Sequence, residues 1–223
     1  MGHRGHPCTF HENTLKSFKS AIDHGADYIE FDVRRTADNV LIAFHDPSIR
    51  YNGKDLPVAT LTIDNLQQVA TEYSFQVARI DEIFSAFSKY CGFDIELKSE
   101  GCEKDVLSLI KKHSNFTTCF FTSFDQNALR TLKSLDPAVK TGYLFESPTH
   151  INSIDSSCID YLCPEQKTYI NYKKVLRSEP FSTKQVAVWT VDDPASMKAF
   201  FNDPDIFAVI TNRCDLALQA YTL

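Results

Sequence analysis

The chain has 223 residues, 43% hydrophobic and 23% charged, a balance that supports a sizeable buried core and fits one domain. Its formal net charge of −6 argues against a nucleic-acid binder or a protein held on an anionic membrane, though it leaves room for a local basic pocket. No run of about 18 apolar residues offers a membrane span, and Met1-Gly2-His3-Arg4 opens the chain with no apolar signal-peptide core and only a weak myristoylation match at Gly2.

Leu15, Phe18, Ala21 and Ile22 recur at helical spacing within 14–24, where His24 caps the end and Gly25 stops the helix. Tyr28 to Arg34 alternates as a strand. Asp38-Asn39 turns the chain into a second short strand, 40–44, which leads into His45. Asn52-Gly53 marks 48–57 as a loop or small hairpin. Short helices are expected at 62–69 and 80–90. Beyond them, strands at 92–96, 118–122, 140–145, 161–163, 185–191 and 206–211 alternate with helices at 104–112, 126–135, 169–177, 194–202 and 216–221. A weak helical patch near Ile151 precedes the strand at 161.

This alternation implies βαβ units with parallel pairing. Seven such strands are counted, beginning at 28, 92, 118, 140, 161, 185 and 206, and an eighth has to lie at the very start, beside His3. The expected fold is α/β, a (β/α)8 TIM barrel with a short or incomplete first strand and a small insertion after the second strand. The chain shows no internal repeat, low-complexity segment or linker, so residues 1–223 read as a single domain. In such a barrel, functional side chains gather at the C-terminal ends of the strands. The seven cysteines are odd in number and include no CxxC pair. A zinc site or disulfide framework is therefore not expected, and a reducing, cytoplasmic location fits.

Alternation places Glu30 and Asp32 on one face of their strand, with Ile29, Phe31 and Val33 on the other. Carboxylates sealed from water need a positive partner. A hard divalent cation, Mg2+ or Ca2+, is the simplest one; an edge strand with its polar face in water is the alternative. Glu96 is a carboxylate of the same kind, and in a barrel the three converge on one mouth, where they repel unless a cation sits between them. His3 and His45 are the acid/base candidates, since imidazole titrates near neutrality; His6, His11, His24, His113 and His150 are assigned to structural or exposed positions. Arg4 can grip a phosphate with two donors and Lys98 can add a point charge, or both can simply pair with the carboxylates. Gly5 lets the backbone approach a ligand or relieves a turn. Trp189, the one tryptophan, is either a wall for the substrate's alcohol part or a core residue.

Together these residues resemble the glycerophosphodiester phosphodiesterase family. The family's His-Arg-Gly and Pro-Glu-Asn-Thr are matched by His3-Arg4-Gly5 and His11-Glu12-Asn13-Thr14. Its Glu-x-Asp-Val-x-x-Thr-x-Asp-Gly is matched by residues Glu30 to Asn39, and its His-Asp by His45-Asp46. Val58 to Leu66, Ile95-Glu96-Leu97-Lys98, Trp189-Thr190-Val191 and Thr211-Asn212-Arg213 are similar to later family segments, in order and nearly end to end. The resemblance implies a TIM barrel binding a divalent metal, Mg2+ or Ca2+, through Glu30, Asp32 and Glu96. It implies His3 and His45 as general acid and base, and Arg4 and Lys98 at the phosphate. Glu12 would lie close by, and Trp189 against the substrate. The reaction implied is cleavage of a small-molecule glycerophosphodiester to sn-glycerol 3-phosphate and an alcohol, with water or the glycerol 2-hydroxyl as nucleophile. No nucleic-acid partner or membrane span is implied, and oligomeric state has no signature in the sequence.

The chain departs from the family pattern at several positions. His11 stands for Pro and Asn39 for Gly. Asn212 and Cys214 stand for Asp and Pro, and both are expected to lie far from the proton transfers. Only Met1 and Gly2 precede His3. The segment 46–79 is short, so any cap over the site is small. Two other functions fit the same barrel. One is a lysophospholipase D or sphingomyelinase D-like enzyme acting on lipids, with Tyr51, Phe75, Phe145 and Phe181 as candidate aromatics for the mouth. The other is a non-catalytic phosphate-binding barrel.

Overall fold

The computed structural model describes residues 1–113 and 119–222. Its strands are β1 (Tyr28–Arg35), β2 (Leu41–Ala43), β3 (Ser48–Tyr51), β4 (Lys54–Pro57), β5 (Gly92–Leu97), β6 (Cys119–Ser123), β7 (Lys140–Phe145), β8 (Tyr161–Pro164), β9 (Gln185–Val188) and β10 (Ile206–Val209). Its α-helices are α1 (Leu15–Asp23), α2 (Ile63–Glu72), α3 (Ile80–Phe87), α4 (Glu103–His113), α5 (Gln126–Leu135), α6 (Gln166–Leu176), α7 (Pro194–Phe201) and α8 (Cys214–Thr222). Strands β1, β5, β6, β7, β8, β9 and β10 pair side by side in that order, each parallel to the next.

The first three residues close the barrel. Gly2 bridges in parallel to both Ile29 and Thr211. The Gly2 amide donates to the Tyr28 carbonyl at 2.9 Å and the Glu30 amide to the Gly2 carbonyl at 2.9 Å; on the other side His3 donates to Thr211 at 2.9 Å and Thr211 to Met1 at 3.0 Å. The opening strand is thus very short, yet it spans the gap between β1 and the end of β10. No side chain fits at Gly2, where a Cβ would lie 2.6 Å from the Gly5 carbonyl oxygen.

The expected insertion after the second barrel strand is present. β2 runs antiparallel to the end of β1, β3 and β4 form the hairpin turned by Asn52-Gly53, and α2 follows. This excursion has its own small core of Ile42, Ile49, Val58, Leu66, Val69 and Phe75.

Expected boundaries shift by a few residues at element ends. Thr118 lies outside the described residues. The strands expected to reach 191 and 211 end at Val188 and Val209, because Trp189 and Thr211 pair only through isolated bridges, to Glu165 and Gly2. Helix α6 begins three residues before the expected 169: the Glu165 side chain accepts from the amides of Lys167 and Thr168, a cap that apolar periodicity does not reveal.

Strand alternation sorts the side chains into two layers. Outward-facing Ile29, Phe31, Val33, Phe93 and Ile95 pack under the helices with Phe18, Phe84 and Phe87. Phe31 meets Phe18, Phe84 and Phe93 edge-on, with centroids 5.9, 6.1 and 6.0 Å apart. Inward-facing residues fill the barrel. At its lower end Tyr28, Phe120, Tyr161 and Phe207 form one aromatic cluster, with Met1, Cys163, Ala187 and Ala208 beside it. Gly142 faces into this layer, where a Cβ would come within 2.8 Å of Cys163 Sγ. The apolar plug confines polar chemistry to the upper, C-terminal end. Among the described residues no helix is long and apolar enough to cross a membrane.

Candidate active site

Above the plug, strand register sets four carboxylates into two adjacent pairs: Glu30 lies opposite Asp94, and Asp32 opposite Glu96. All four are buried. Ligand oxygens of Glu30, Asp32 and Glu96 lie within 4.8 Å of one another. Burial rules out three independent surface acids and an edge strand in water. Glu30 Oε1, Asp32 Oδ1 and Asp94 Oδ2 are buried with no hydrogen-bond donor, while the buried Glu96 Oε1 faces the Lys98 ammonium. Glu30 and Asp32 therefore each keep one oxygen without a donor, and with Glu96 they make a set of hard donors that fits a divalent cation.

The second oxygens of Glu30, Asp32 and Asp94 are committed. The Arg4 amide donates to Glu30 Oε2 at 2.7 Å, made possible by a left-handed Arg4 backbone with φ of 52°. Asn13 Nδ2 donates to Asp32 Oδ2 at 2.8 Å, also from a left-handed backbone that asparagine tolerates. Thr122 Oγ1 donates to Asp94 Oδ1 at 2.7 Å. Two cations face this cluster. The Lys98 ammonium lies 2.5 Å from Glu96 Oε1 and 3.4 Å from Asp32 Oδ1, and Arg4 Nε lies 3.4 Å from Asp32 Oδ2. Fully ionised, the four acids would outnumber the two bases.

The acids respond differently to this environment. Burial, then Asp32, Asp94 and Glu96, hold the Glu30 carboxyl well above the usual range. Burial and Asp32 push Glu96 up to about 8 against the pull of Lys98, and burial pushes Asp94 up to about 7. Burial acts in the same sense on Asp32, yet Lys98, Arg4 and the Asn13 hydrogen bond outweigh it and hold that carboxyl low.

Both candidate histidines line the same cavity, of about 320 Å³, with Arg4, Lys98 and Trp189. His45 Nδ1 lies 2.7 Å from Asp46 Oδ1, an acceptor, so Nδ1 carries the proton. The Arg34 guanidinium donates to the His45 carbonyl at 2.8 Å and fixes the loop. His3 Nδ1 lies 2.7 Å from Asn212 Oδ1. This corrects one expectation: Asn212, placed far from the proton transfers by its position near the end of the chain, touches one of the two imidazoles, because barrel closure brings the first and last strands together. Burial and the Arg4 charge hold the His3 imidazole below its ordinary value.

Glu12 stands just outside the cavity, on an adjoining groove, and accepts from Arg4 Nη1 through both oxygens at 3.0 Å. Arg4 and Lys98, left open between phosphate and ion pair, make ion pairs here. Trp189 is half-buried and forms a cavity wall, its Nε1 donating to the Cys163 carbonyl at 2.7 Å and its ring edge-on to Phe124. Gly5 serves a turn: with φ of 87°, its Cα packs so closely on α1 that a Cβ would lie 2.6 Å from the Ser17 backbone. His6 is buried between Ser20 and Asp215, and His24 caps α1, both in structural positions as expected. His11, in place of proline, stacks on Phe75 with centroids 3.6 Å apart and ties the first loop to the insertion.

Among the aromatics considered for the mouth, Phe145 and Phe181 are core residues, Phe75 is covered by His11, and the Tyr51 hydroxyl bonds Glu72. Phe124 is the aromatic that borders the cavity, and it is 44% exposed. Sequence reasoning gave no role to Asp94, Asp46, Asn212 or Phe124. Asp94 shares the alternation of Glu96 and was open to the same argument. The others sit in loops with no periodicity to reveal their direction.

A carboxylate cluster able to hold a hard cation and two oriented imidazoles, at the C-terminal mouth of a (β/α)8 barrel, fit an enzyme site of the TIM-barrel kind. The chain belongs to the glycerophosphoryl diester phosphodiesterase family, whose model matches residues 3–216. Its class is that of the phosphoric diester hydrolases. A glycerophosphodiester phosphodiesterase from Caldanaerobacter subterraneus subsp. tengcongensis is 29% identical over 161 residues, covering 66% of each chain. The crystal structure of a glycerophosphodiester phosphodiesterase from Thermotoga maritima matches with a TM-score of 0.83 and 26% identity, over 98% of this chain and 96% of that one. A phosphodiesterase from Oleispira antarctica, solved in complex with its product sn-glycerol-3-phosphate, shares the fold with a TM-score of 0.82 and 23% identity, over 100% of this chain and 96% of the other.

Proposed function

We propose that the protein hydrolyses glycerophosphodiesters to sn-glycerol 3-phosphate and an alcohol, with Mg2+ or Ca2+ held by Glu30, Asp32 and Glu96. The observation that carries this reading is the set of three convergent buried carboxylates, two of them with an oxygen that lacks a donor, at a cavity lined by two Nδ1-anchored imidazoles. Once its acids ionise, a cavity with four of them and two bases does not attract a phosphodiester anion unaided. A bound divalent ion supplies the missing positive charge and polarises the phosphoryl oxygens. Arg4, held in place by Glu12, and Lys98 add charge at the phosphate. The Nε2 atoms of His3 and His45 serve proton transfer, one accepting the proton of the attacking hydroxyl or water and the other donating to the leaving alcohol oxygen. Trp189 and Phe124 form an apolar wall for the carbon part of the substrate. In the same reading residues 1–223 act as one catalytic domain in a reducing cytoplasm.

The test is release of glycerol 3-phosphate from glycerophosphocholine and glycerophosphoethanolamine after chelation, with Mg2+ or Ca2+ added back, for the wild type and His45→Ala. Metal-dependent release that drops about 10²- to 10⁴-fold in the variant is expected. A folded, metal-binding protein that cleaves lysophosphatidylcholine and neither diester would replace this reading with the lipid one.

A further inference from the structure

The family pattern carries aspartate where this chain has Asn212, and the structure shows what the amide touches. Its oxygen lies 2.7 Å from His3 Nδ1. Its Nδ2 donates to Asp192 Oδ2 at 2.7 Å, and its backbone amide donates to Asp192 Oδ1 at 2.8 Å. Thr211 Oγ1 donates to the same Asp192 oxygen at 3.0 Å. A carboxylate only accepts, so Asp192 leaves the Asn212 amide one orientation: NH2 toward Asp192 and oxygen toward His3. An amide oxygen also only accepts, so His3 Nδ1 must carry a proton. Among the described residues no hydrogen bond engages His3 Nε2, and His3 borders the cavity that holds the carboxylate cluster.

We propose that Asn212, locked by Asp192, is a positioning residue for His3, fixing the imidazole as the Nδ1–H tautomer with Nε2 presented to the cavity. The inference rests on the reading of His3 as a proton-transfer group and adds the relay Asp192–Asn212–His3 to it. The device differs in kind from the one at His45, whose Nδ1–H meets the Asp46 carboxylate directly. At His3 the negative charge is one residue removed, so the amide orients the ring without placing a full charge against it. Asp192 follows β9 and Asn212 follows β10, so the relay also ties the last two strand ends to the first.

Two measurements test it. The first is the 15N spectrum of the imidazole rings in metal-free protein labelled at histidine, with the His3 signals identified by their loss in His3→Gln. Wild type is expected to show Nδ1 protonated and Nε2 unprotonated at high pH. In Asn212→Leu, which removes the acceptor, the signals are expected to move toward a mixture of tautomers. The second is steady-state kinetics. Asn212→Leu is expected to lose roughly 10- to 100-fold in kcat, within the contribution of a positioned proton-transfer group, with KM changed by less than about threefold. The exchanged pair Asp192→Asn with Asn212→Asp restores an acceptor at His3 and a donor between the two positions, and is expected to recover at least tenfold of the lost kcat. Unfolding temperatures accompany each variant. If Asn212→Leu unfolds, Asp192→Ala, which frees the amide to rotate, takes its place in both measurements. Unchanged His3 tautomer signals in a folded variant overturn the proposal, as does a loss that appears in KM alone or is not recovered by the exchange. If the wild type cleaves no diester, the proposed function fails while the spectrum still decides whether Asn212 sets the tautomer.

Discussion

Glu96→Gln is expected to make the metal-free protein more stable and the metal-bound protein less so. Glu96 is 7% exposed, and burial and Asp32 push its carboxyl from an ordinary value of 4.5 up to about 8. The folded state therefore binds a proton that the unfolded chain releases between these values. Stability from this group falls as pH rises from 4.5 through 8, by about 1.4 kcal/mol per pH unit at most. At pH 7 the accumulated cost is roughly 3 kcal/mol, and interaction with Lys98, which glutamine keeps only in part, reduces the gain on substitution to about 1–3 kcal/mol. For a chain of this size that is a rise of roughly 3–10 °C in Tm in EDTA at pH 7 to 8, shrinking toward zero near pH 5. The opposite response is expected with Mg2+ or Ca2+. A ligand at a hundred times its Kd stabilises wild type by about 2.7 kcal/mol, and a tenfold weaker site loses about 1.4 kcal/mol of that. Differential scanning calorimetry with and without chelator, across pH 5 to 8.5, reads both effects. A variant less stable than wild type in EDTA at pH 8, or one with an undiminished response to both cations, would refute the electrostatic account of the site.

Two further outcomes concern the scaffold. Asp160 accepts from Lys133 Nζ at 2.7 Å, Lys140 Nζ at 2.8 Å and the Thr141 amide at 3.0 Å. Burial raises its pKa, but the two lysines outweigh burial and hold the carboxyl below its ordinary value. That stabilisation is present above the unfolded value near 3.8 and is lost as pH falls through the lower folded one. Asp160→Asn is expected to cost about 1.5–3 kcal/mol at pH 7, with the gap to wild type closing in acid, as read from urea titrations in a pH series. Phe31→Ala empties the junction of three edge-on aromatic contacts beneath α1 and α3 and is expected to cost about 3–5 kcal/mol, visible as a lower urea midpoint.

Much of this molecule is legible along the chain because strand alternation acts over two residues. Tyr28 to Val33 and Asp94 to Leu97 each declare a core face and an acid face, and parallel register then fixes Glu30 opposite Asp94 and Asp32 opposite Glu96. The order of strands and helices, the small insertion after β1, the three carboxylates and the two histidines all follow from such local patterns and from motif resemblance. Barrel closure is different in kind. Gly2 meets both Ile29 and Thr211, and the Met1–His3 segment is too short to show any periodicity of its own. That closure brings His3 against Asn212, so a contact across 209 positions appears only once the strands have circled the barrel. The commitment of Arg4 to Glu12 and Asp32, the burial of Phe145 and Phe181 and the exposure of Phe124 at the mouth were likewise decided in three dimensions. Local sequence determined which faces carry charge and which carry hydrocarbon, because each residue's direction follows from its immediate neighbours. The tertiary structure alone decided which of those charges meet, because the distances between them are set by the closed sheet.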